Sequence, residues 1–393
     1  MALKPPKYAQ SVVQRLENAG YRAYFVGGAV RDALLGRRAS DWDVCTSALP
    51  EEILSLFPHC IPTGIRHGTV TVVTDKRTVE VTTFRTEGIY ADHRRPEKVE
   101  FVSALETDLA RRDFTVNAMA LDLRGTLTDP FGGQDDLKNR CIRCVGVPDK
   151  RFSEDALRML RALRFSAQLG FAVEAETFAA IERCAPLAAA LSAERVRDET
   201  EKLLLSPAPE TVSLVLRCGL LDAFVQSGVS PDALRLKRLP RTPEARWAGL
   251  SALLLHEEWI DSPENFLRAL RLPSATVRSC GLGARAACDT PKRSRLEWKR
   301  LLASEGEQAA YCAAAASDAL CAGGALRTLR EIEGSGECVS MRQLALNGDT
   351  LLARGIRGTE AGKTLRMLLD HVLRFPEDNE QRKLLALLDA SEQ

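Results

Sequence analysis

Two hydrophobic rhythms divide the chain. In its first third, short apolar runs alternate with polar positions or stop at glycine; beyond Asp149, apolar residues recur every three to four positions. The opening "SVVQRLENAG" reads as a helix. A strand is predicted over 23–26, a helix over 30–35, a strand over 42–46 and a helix over 50–57. "GTVTVVTDKRTVEVTTFR" holds two Val/Thr-rich alternating runs around Asp75-Lys76-Arg77, the pattern of a β-hairpin. Gly132-Gly133 predicts a sharp turn ahead of another helix. In "DKRFSEDALRMLRALRFSAQLGF", Leu157, Leu160, Leu163 and Phe165 follow a helical period, with Ser153 placed to cap its start. Successive helical segments follow, and a composition shift near Thr290 opens a last helical region reaching Leu388. The expected fold class is an α+β amino-terminal head followed by an all-α carboxy-terminal half, in segments 1–147, 148–206, 207–289 and 290–393.

Charge narrows the range of partners. Lysine and arginine number 54 against 53 acidic residues, so any nucleic-acid surface must be a local patch. Basic residues gather over 235–246 and 291–300, and these are the expected phosphate tracks or, equally, solvated faces. No long apolar run predicts a membrane span or a secretory leader, so a cytoplasmic chain with reduced thiols is expected. Eleven cysteines form no small-domain framework; Cys141 and Cys144 make a lone C-x-x-C without a second ligand pair and read as packed strand residues rather than a zinc site. None of the five histidines is followed by aspartate, which leaves an HD-type phosphohydrolase without its ligands.

The densest chemistry lies in "FVGGAVRDALLGRRASDWDVCTSA". Asp41 and Asp43 stand two apart on a predicted strand and therefore face one side. Two hard oxygen donors suit Mg²⁺, which takes few protein carboxylates and fills its shell with water and substrate phosphate. Gly27-Gly28 lets backbone N–H groups at the next helix approach an anion closely. Each part alone is equally a turn or a solvated strand end.

Order and spacing add more. GG-x-VRD-x-LLGR followed by D-x-D resembles the signature of the class II tRNA nucleotidyltransferases, of the polymerase-β-like superfamily. The resemblance implies a head with a mixed sheet, then helical neck, body and tail in the four segments above. It implies Mg²⁺ on Asp41 and Asp43 as the catalytic pair, with Glu80 as a candidate third acid or a surface position. It also implies triphosphate contacts from Gly28, Arg31 and, in "RRDFTVNAMA", Arg112, for which a helix-end ion pair with Asp113 is the plain alternative. A flexible loop needed for adding adenosine matches the segment with Asp92, Arg94 and Arg95, and "DPFGGQDDL" matches a hinge.

Glu154, Asp155 and Arg158 match the family's E-D-x-x-R motif, and Arg161 and Arg164 match further nucleotide-contacting positions. On one helix Asp155 and Arg158 would project side by side, as an ordinary ion pair or as a base reader. Cytosine and adenine each present an exocyclic amino donor beside a ring-nitrogen acceptor, which a carboxylate and a guanidinium complement. Guanine and uracil present the reverse, and buried mismatched polar groups cost ~1–3 kcal/mol each. Arg195, Glu199 and Lys202 match the next neck motif and read first as helix-bracing pairs; Gly355, Gly358 and Gly362 match a tail motif beside the tRNA elbow. The implied activity is template-independent building or repair of the 3′ CCA end of tRNA from CTP and ATP, with release of pyrophosphate and with no membrane or DNA partner. A CC-adding or A-adding relative, a poly(A) polymerase of the same family and a non-catalytic tRNA-binding protein are the alternatives.

Overall fold

The computed structural model describes residues 4–39, 41–74, 77–87, 99–226 and 232–391. The segment expected to form the flexible loop, with Asp92, Arg94, Arg95 and Pro96, lies outside the described residues, as do Asp75 and Lys76 of the predicted hairpin turn. Two compact units are present, the first made of residues 1–203 and 214–223, the second of 204–213 and 224–393.

In the first unit, α1 (Lys7–Asn18) buries Ala9, Val12, Val13 and Leu16, the stripe its periodicity predicts. It leads into β1 (Ala23–Val26), α2 (Gly28–Leu34), β2 (Asp43–Thr46), α3 (Pro50–Leu56), β3 (Cys60–Gly64), β4 (Thr69–Thr74) and β5 (Arg77–Thr83). Then come β6 (Arg85–Glu87), β7 (Val99–Phe101), α4 (Leu105–Ala110), β8 (Ala120–Leu121), β9 (Leu127–Thr128) and α5 (Gly133–Lys138). Seven strands form one sheet in the order β3-β4-β5-β2-β1-β8-β9. It is mixed: β2 runs parallel to β5, while β1 pairs antiparallel with both β2 and β8. Alternation does what the sequence pattern implies, since Val70, Val72, Val79 and Val81 of the β4–β5 hairpin are all buried while Glu80 is exposed. Gly132, at φ 73°, starts α5, and Gly133 is needed because a Cβ there would meet the Thr115 carbonyl oxygen at 2.4 Å.

Helices dominate from β10 (Cys141–Ile142) onward: α6 (Pro148–Glu154), α7 (Leu157–Leu169), α8 (Ala175–Cys184) and α9 (Ala193–Leu204). One short strand, β11 (Ala172–Val173), interrupts them by pairing parallel to β10. Cys144 is buried and Cys141 half-buried, both as free thiols. The continuous helix expected to start at Ser153 is broken in two. Ser153 lies inside α6 and does not cap; the chain leaves helical geometry at Asp155 (φ −144°, ψ 104°) and restarts at Leu157. Leu157, Leu160, Leu163 and Phe165 are all buried in α7, as are Arg158, Met159 and Arg164, so the helix is buried on more than the predicted stripe.

The second unit packs helices Pro243–His256, Ser274–Asp289 and Glu307–Leu320 against one another. Gly283 permits a close approach of two helices, because a Cβ there would stand 2.7 Å from the Cys312 backbone. A second cluster, with Leu351, Leu368, Val372, Leu373 and Leu384, organises the last three helices. Gly355 (φ 86°) and Gly358 (φ 59°) take left-handed geometry, Gly358 at the first residue of the helix Gly358–Arg374. The basic clusters are only partly surface. Arg246 is 1% exposed and donates to the carbonyls of Leu204, Leu239 and Pro240 at 3.0 Å each. Lys299 is 5% exposed and bound to Glu337 and to the Leu373 carbonyl. Both are structural clasps, which removes them from any phosphate track. Among the described residues, no helix is long and apolar enough to cross a membrane.

Candidate active site

Strand pleating builds one wall of the site. Trp42 points into the core, edge-on to Phe25 at 5.4 Å, so Asp41 and Asp43 on either side of it face the opposite way. Val44 of β2 pairs with Val81 of β5 in parallel register, which brings Asp43 and Glu80, each one residue earlier, to the same level of neighbouring strands. Gly27, at φ 73° and ψ −142°, begins α2, and a Cβ there would sit 3.4 Å from Arg112 Nη1 and 3.7 Å from Asp43 Oδ2. The glycine pair thus keeps the backbone close to carboxylate and guanidinium alike.

The other wall comes from α7, α9 and the segment between α4 and β8. Gly28, Arg31, Asp41, Asp43, Arg112, Asp155, Arg158, Arg161 and Arg164 all line a single cleft of about 790 Å³. Glu80, Arg195 and Lys202 line it as well, whereas Glu199 stands behind it, 5% exposed. The helix-end pair with Asp113, the plain alternative for Arg112, does not form. Arg112 instead bonds Asp108 at 3.3 Å, alongside Arg111 at 2.8 Å, and Asp108 is fully buried beneath both. Asp113 accepts from Arg161 at 2.8 Å and from Asn117 at 3.2 Å, and Asn117 Oδ1 accepts in turn from Arg31 Nη1 at 2.7 Å.

Asp155 and Arg158 share the cleft without pairing as successive helix residues. Asp155 Oδ1 accepts from the Leu157 N–H at 3.1 Å and Oδ2 from Arg195 Nη2 at 2.8 Å. Arg158 is 7% exposed and donates to Glu154 at 2.8 Å and to the Arg151 and Arg111 carbonyls. Its rigidity therefore comes from protein partners. Glu199 pairs with Arg164 at 2.5 Å and with Lys202 at 3.4 Å, the bracing role anticipated for this motif.

Two residues escaped the sequence reading. Asp108 was visible as the acid three and four positions before Arg111 and Arg112. Asn117, which bridges two otherwise separate ion pairs, gave no local signal.

Electrostatics separate two kinds of carboxyl. Burial, then the Glu80 charge and, further off, Asp41 push Asp43 up to about 6 against the opposing Arg112. A carboxylate crowded by others in this way is what a hard cation relieves, and the donor set is all oxygen. Among the described residues no three His, Cys, Asp or Glu side chains close around an ion by themselves, so water or ligand oxygens would have to complete its shell. Asp113 is the opposite case. Burial would raise it, but the Arg161 charge, with hydrogen bonds from Arg161 and Asn117, holds it down at about 2.

A depressed folded-state pKa contributes stability that is present above the unfolded value and lost as pH falls through the folded one. For Asp113 that window runs from about 4 to about 2, and the contribution is about 2 kcal/mol. Urea midpoints measured across this range are expected to fall in the native protein and to change less in Asp113→Asn, which is already destabilised at pH 7.

Comparison with known proteins agrees with this architecture. A family profile described as "Poly A polymerase head domain" matches residues 23–143, and one described as "Probable RNA and SrmB- binding site of polymerase A" matches residues 170–228. The CCA-adding enzyme of Geobacillus kaustophilus (strain HTA426) is 42% identical over 402 residues, covering 98% of this chain and 97% of that protein. That of Geobacillus thermodenitrificans (strain NG80-2) is 49% identical over 286 residues, 71% of this chain and 70% of the relative. The crystal structure of the Bacillus stearothermophilus CCA-adding enzyme in complex with CTP superposes with a TM-score of 0.83 at 37% identity, covering 99% of this chain and 98% of that one. The Thermotoga maritima CCA-adding enzyme complexed with tRNA shares the fold, with a TM-score of 0.70 at 19% identity over 100% of this chain and 97% of that one.

Proposed function

This chain belongs to the CCA-adding enzymes, a family of tRNA nucleotidyltransferases, and we propose that it builds or repairs the 3′ CCA of tRNA from CTP and ATP, releasing pyrophosphate. The observation that carries the reading is a single cleft in which a carboxylate pair stands across from a bank of arginines. Its partners are tRNA lacking part or all of the CCA end, CTP and ATP, and its setting is cytoplasmic. The four-part division into head, neck, body and tail is kept as part of this reading.

Asp41 and Asp43, with Glu80 beside them, are the residues that would hold Mg²⁺. A pair of such ions bound there supplies Lewis acidity, lowering the pKa of the attacking 3′-hydroxyl and neutralising the departing pyrophosphate. Gly28, Arg31 and Arg112 bind and orient the triphosphate, since planar guanidinium forks match phosphate oxygens. Asp155 accepts from the base's amino group and Arg158 donates to its ring nitrogen, the two groups cytosine and adenine have in common. Arg161 and Arg164 close the cleft on the nucleotide side, anchored by Asp113 and Glu199.

Incubating the protein with tRNA that ends before CCA, Mg²⁺ and each labelled NTP singly and in pairs tests this directly. Two cytidines followed by one adenosine are expected. Long adenosine tails, or UTP and GTP used at comparable rates, would overturn it.

A further inference from the structure

We propose that Phe165 is a positioning residue of this cleft, its ring holding three guanidiniums in the array that grips an anionic phosphate chain. The proposal rests on the nucleotide-binding reading above. The guanidinium carbon of Arg164 lies 3.8 Å from the ring centroid, that of Arg31 5.1 Å and that of Arg161 5.3 Å. Arg31 is carried by α2 and the other two by α7, so the ring is the surface on which two separate elements register their cations. Phe165 is 6% exposed, and its own orientation is fixed by Phe114, edge-on at 5.8 Å and 81°.

Three like charges this close need neutralising, and the carboxylates nearby act laterally. Asp32 pairs with Arg31, Asp113 with Arg161 and Glu199 with Arg164. A fourth carboxylate at the ring's position would consume in-plane N–H donors and cancel the positive field that attracts phosphate. An aromatic face attracts cations through its quadrupole while accepting none of those in-plane bonds. Phe165 therefore gathers the arginines without spending what they offer to a ligand. An aliphatic side chain would occupy much of the space and leave the charges to spread apart.

The probe is inorganic tripolyphosphate, with binding measured by calorimetry at fixed ionic strength and alongside steady-state incorporation of CTP and ATP. F165L and F165M are expected to weaken tripolyphosphate about tenfold and to raise KM for both nucleotides alike, with kcat changed by less than about threefold. F165Y, which keeps the ring, is expected to stay within about threefold of the native protein. Should F165L fail to fold, F165M, whose unbranched and flexible side chain fills irregular gaps, carries the test. Native tripolyphosphate affinity in the folded aliphatic variants, or a Tyr variant as weak as they are, overturns the proposal. A native protein that transfers no nucleotide to tRNA but binds tripolyphosphate in this ring-dependent way would keep the role of Phe165 and overturn the function.

Discussion

Alanine at Asp41 or Asp43 is expected to reduce nucleotide incorporation by ~10³-fold or more while leaving tRNA retention within about twofold. The magnitude follows from the several kcal/mol that Lewis-acid stabilisation of the transition state contributes, each 1.36 kcal/mol being tenfold in rate. Retention is expected to be spared because both carboxylates line the proposed nucleotide cleft and carry the wrong sign to hold a polyanion by themselves. A gel-shift measurement beside single-turnover incorporation separates the two effects. Stability supplies an independent readout. With Asp43 raised to about 6, its ionisation costs the fold about 2–3 kcal/mol above that pH when no cation is present. The penalty grows as pH rises from about 4 to about 6. Asp43→Asn is therefore expected to unfold at higher urea than the native protein at pH 7 in chelator, and to lose that advantage when Mg²⁺ is added. Residual turnover near the native rate in the alanine variants would remove the carboxylate pair from the chemistry.

What could be read from the sequence is whatever short-range periodicity decides. The hairpin at β4–β5 and the helical period of α7 are local patterns, and Asp41 and Asp43 fall on one side of a strand whatever the rest of the chain does. The break at Asp155 is different in kind. Its side chain satisfies the Leu157 N–H from within the segment and Arg195 from 40 residues away, and a helical period interrupted for two residues looks continuous on paper. The alternative pairing of Arg112 with Asp113 fails for a related reason: Asp113, its neighbour in sequence, turns to Arg161 on another element. The same applies to Arg246 and Lys299, counted as surface charges until the fold wraps carbonyls around them. Charge clusters specify composition, but only long-range contacts decide which members see solvent.

That break sharpens the second large effect, expected at Asp155. Because it stands between two helices, Asp155 reaches the cleft with extended backbone, one oxygen held by the Leu157 N–H and the other by Arg195, while Arg158 is clamped by Glu154 and two carbonyls. Neither group can readily swing to suit a different base, and under the proposed reading this rigidity would let a carboxylate that only accepts reject the donor-acceptor order of uracil and guanine. Asparagine keeps the shape and can still accept from Leu157, but its amide then turns a donor toward Arg195 where an oxygen accepted, and offers the base a donor as well as an acceptor. Asp155→Asn is accordingly expected to raise UTP and GTP incorporation relative to CTP and ATP by ~10–100-fold, the range in which one mismatched buried polar contact discriminates. Asp155→Glu, which keeps the charge but lengthens the reach, should lose rate without gaining UTP. Primer-extension competition with all four nucleotides measures both. If the Asn variant remained as selective as the native protein, the base would have to be read by other groups lining the cleft, and the clamped arginine would be a strut of the neck rather than half of a reader.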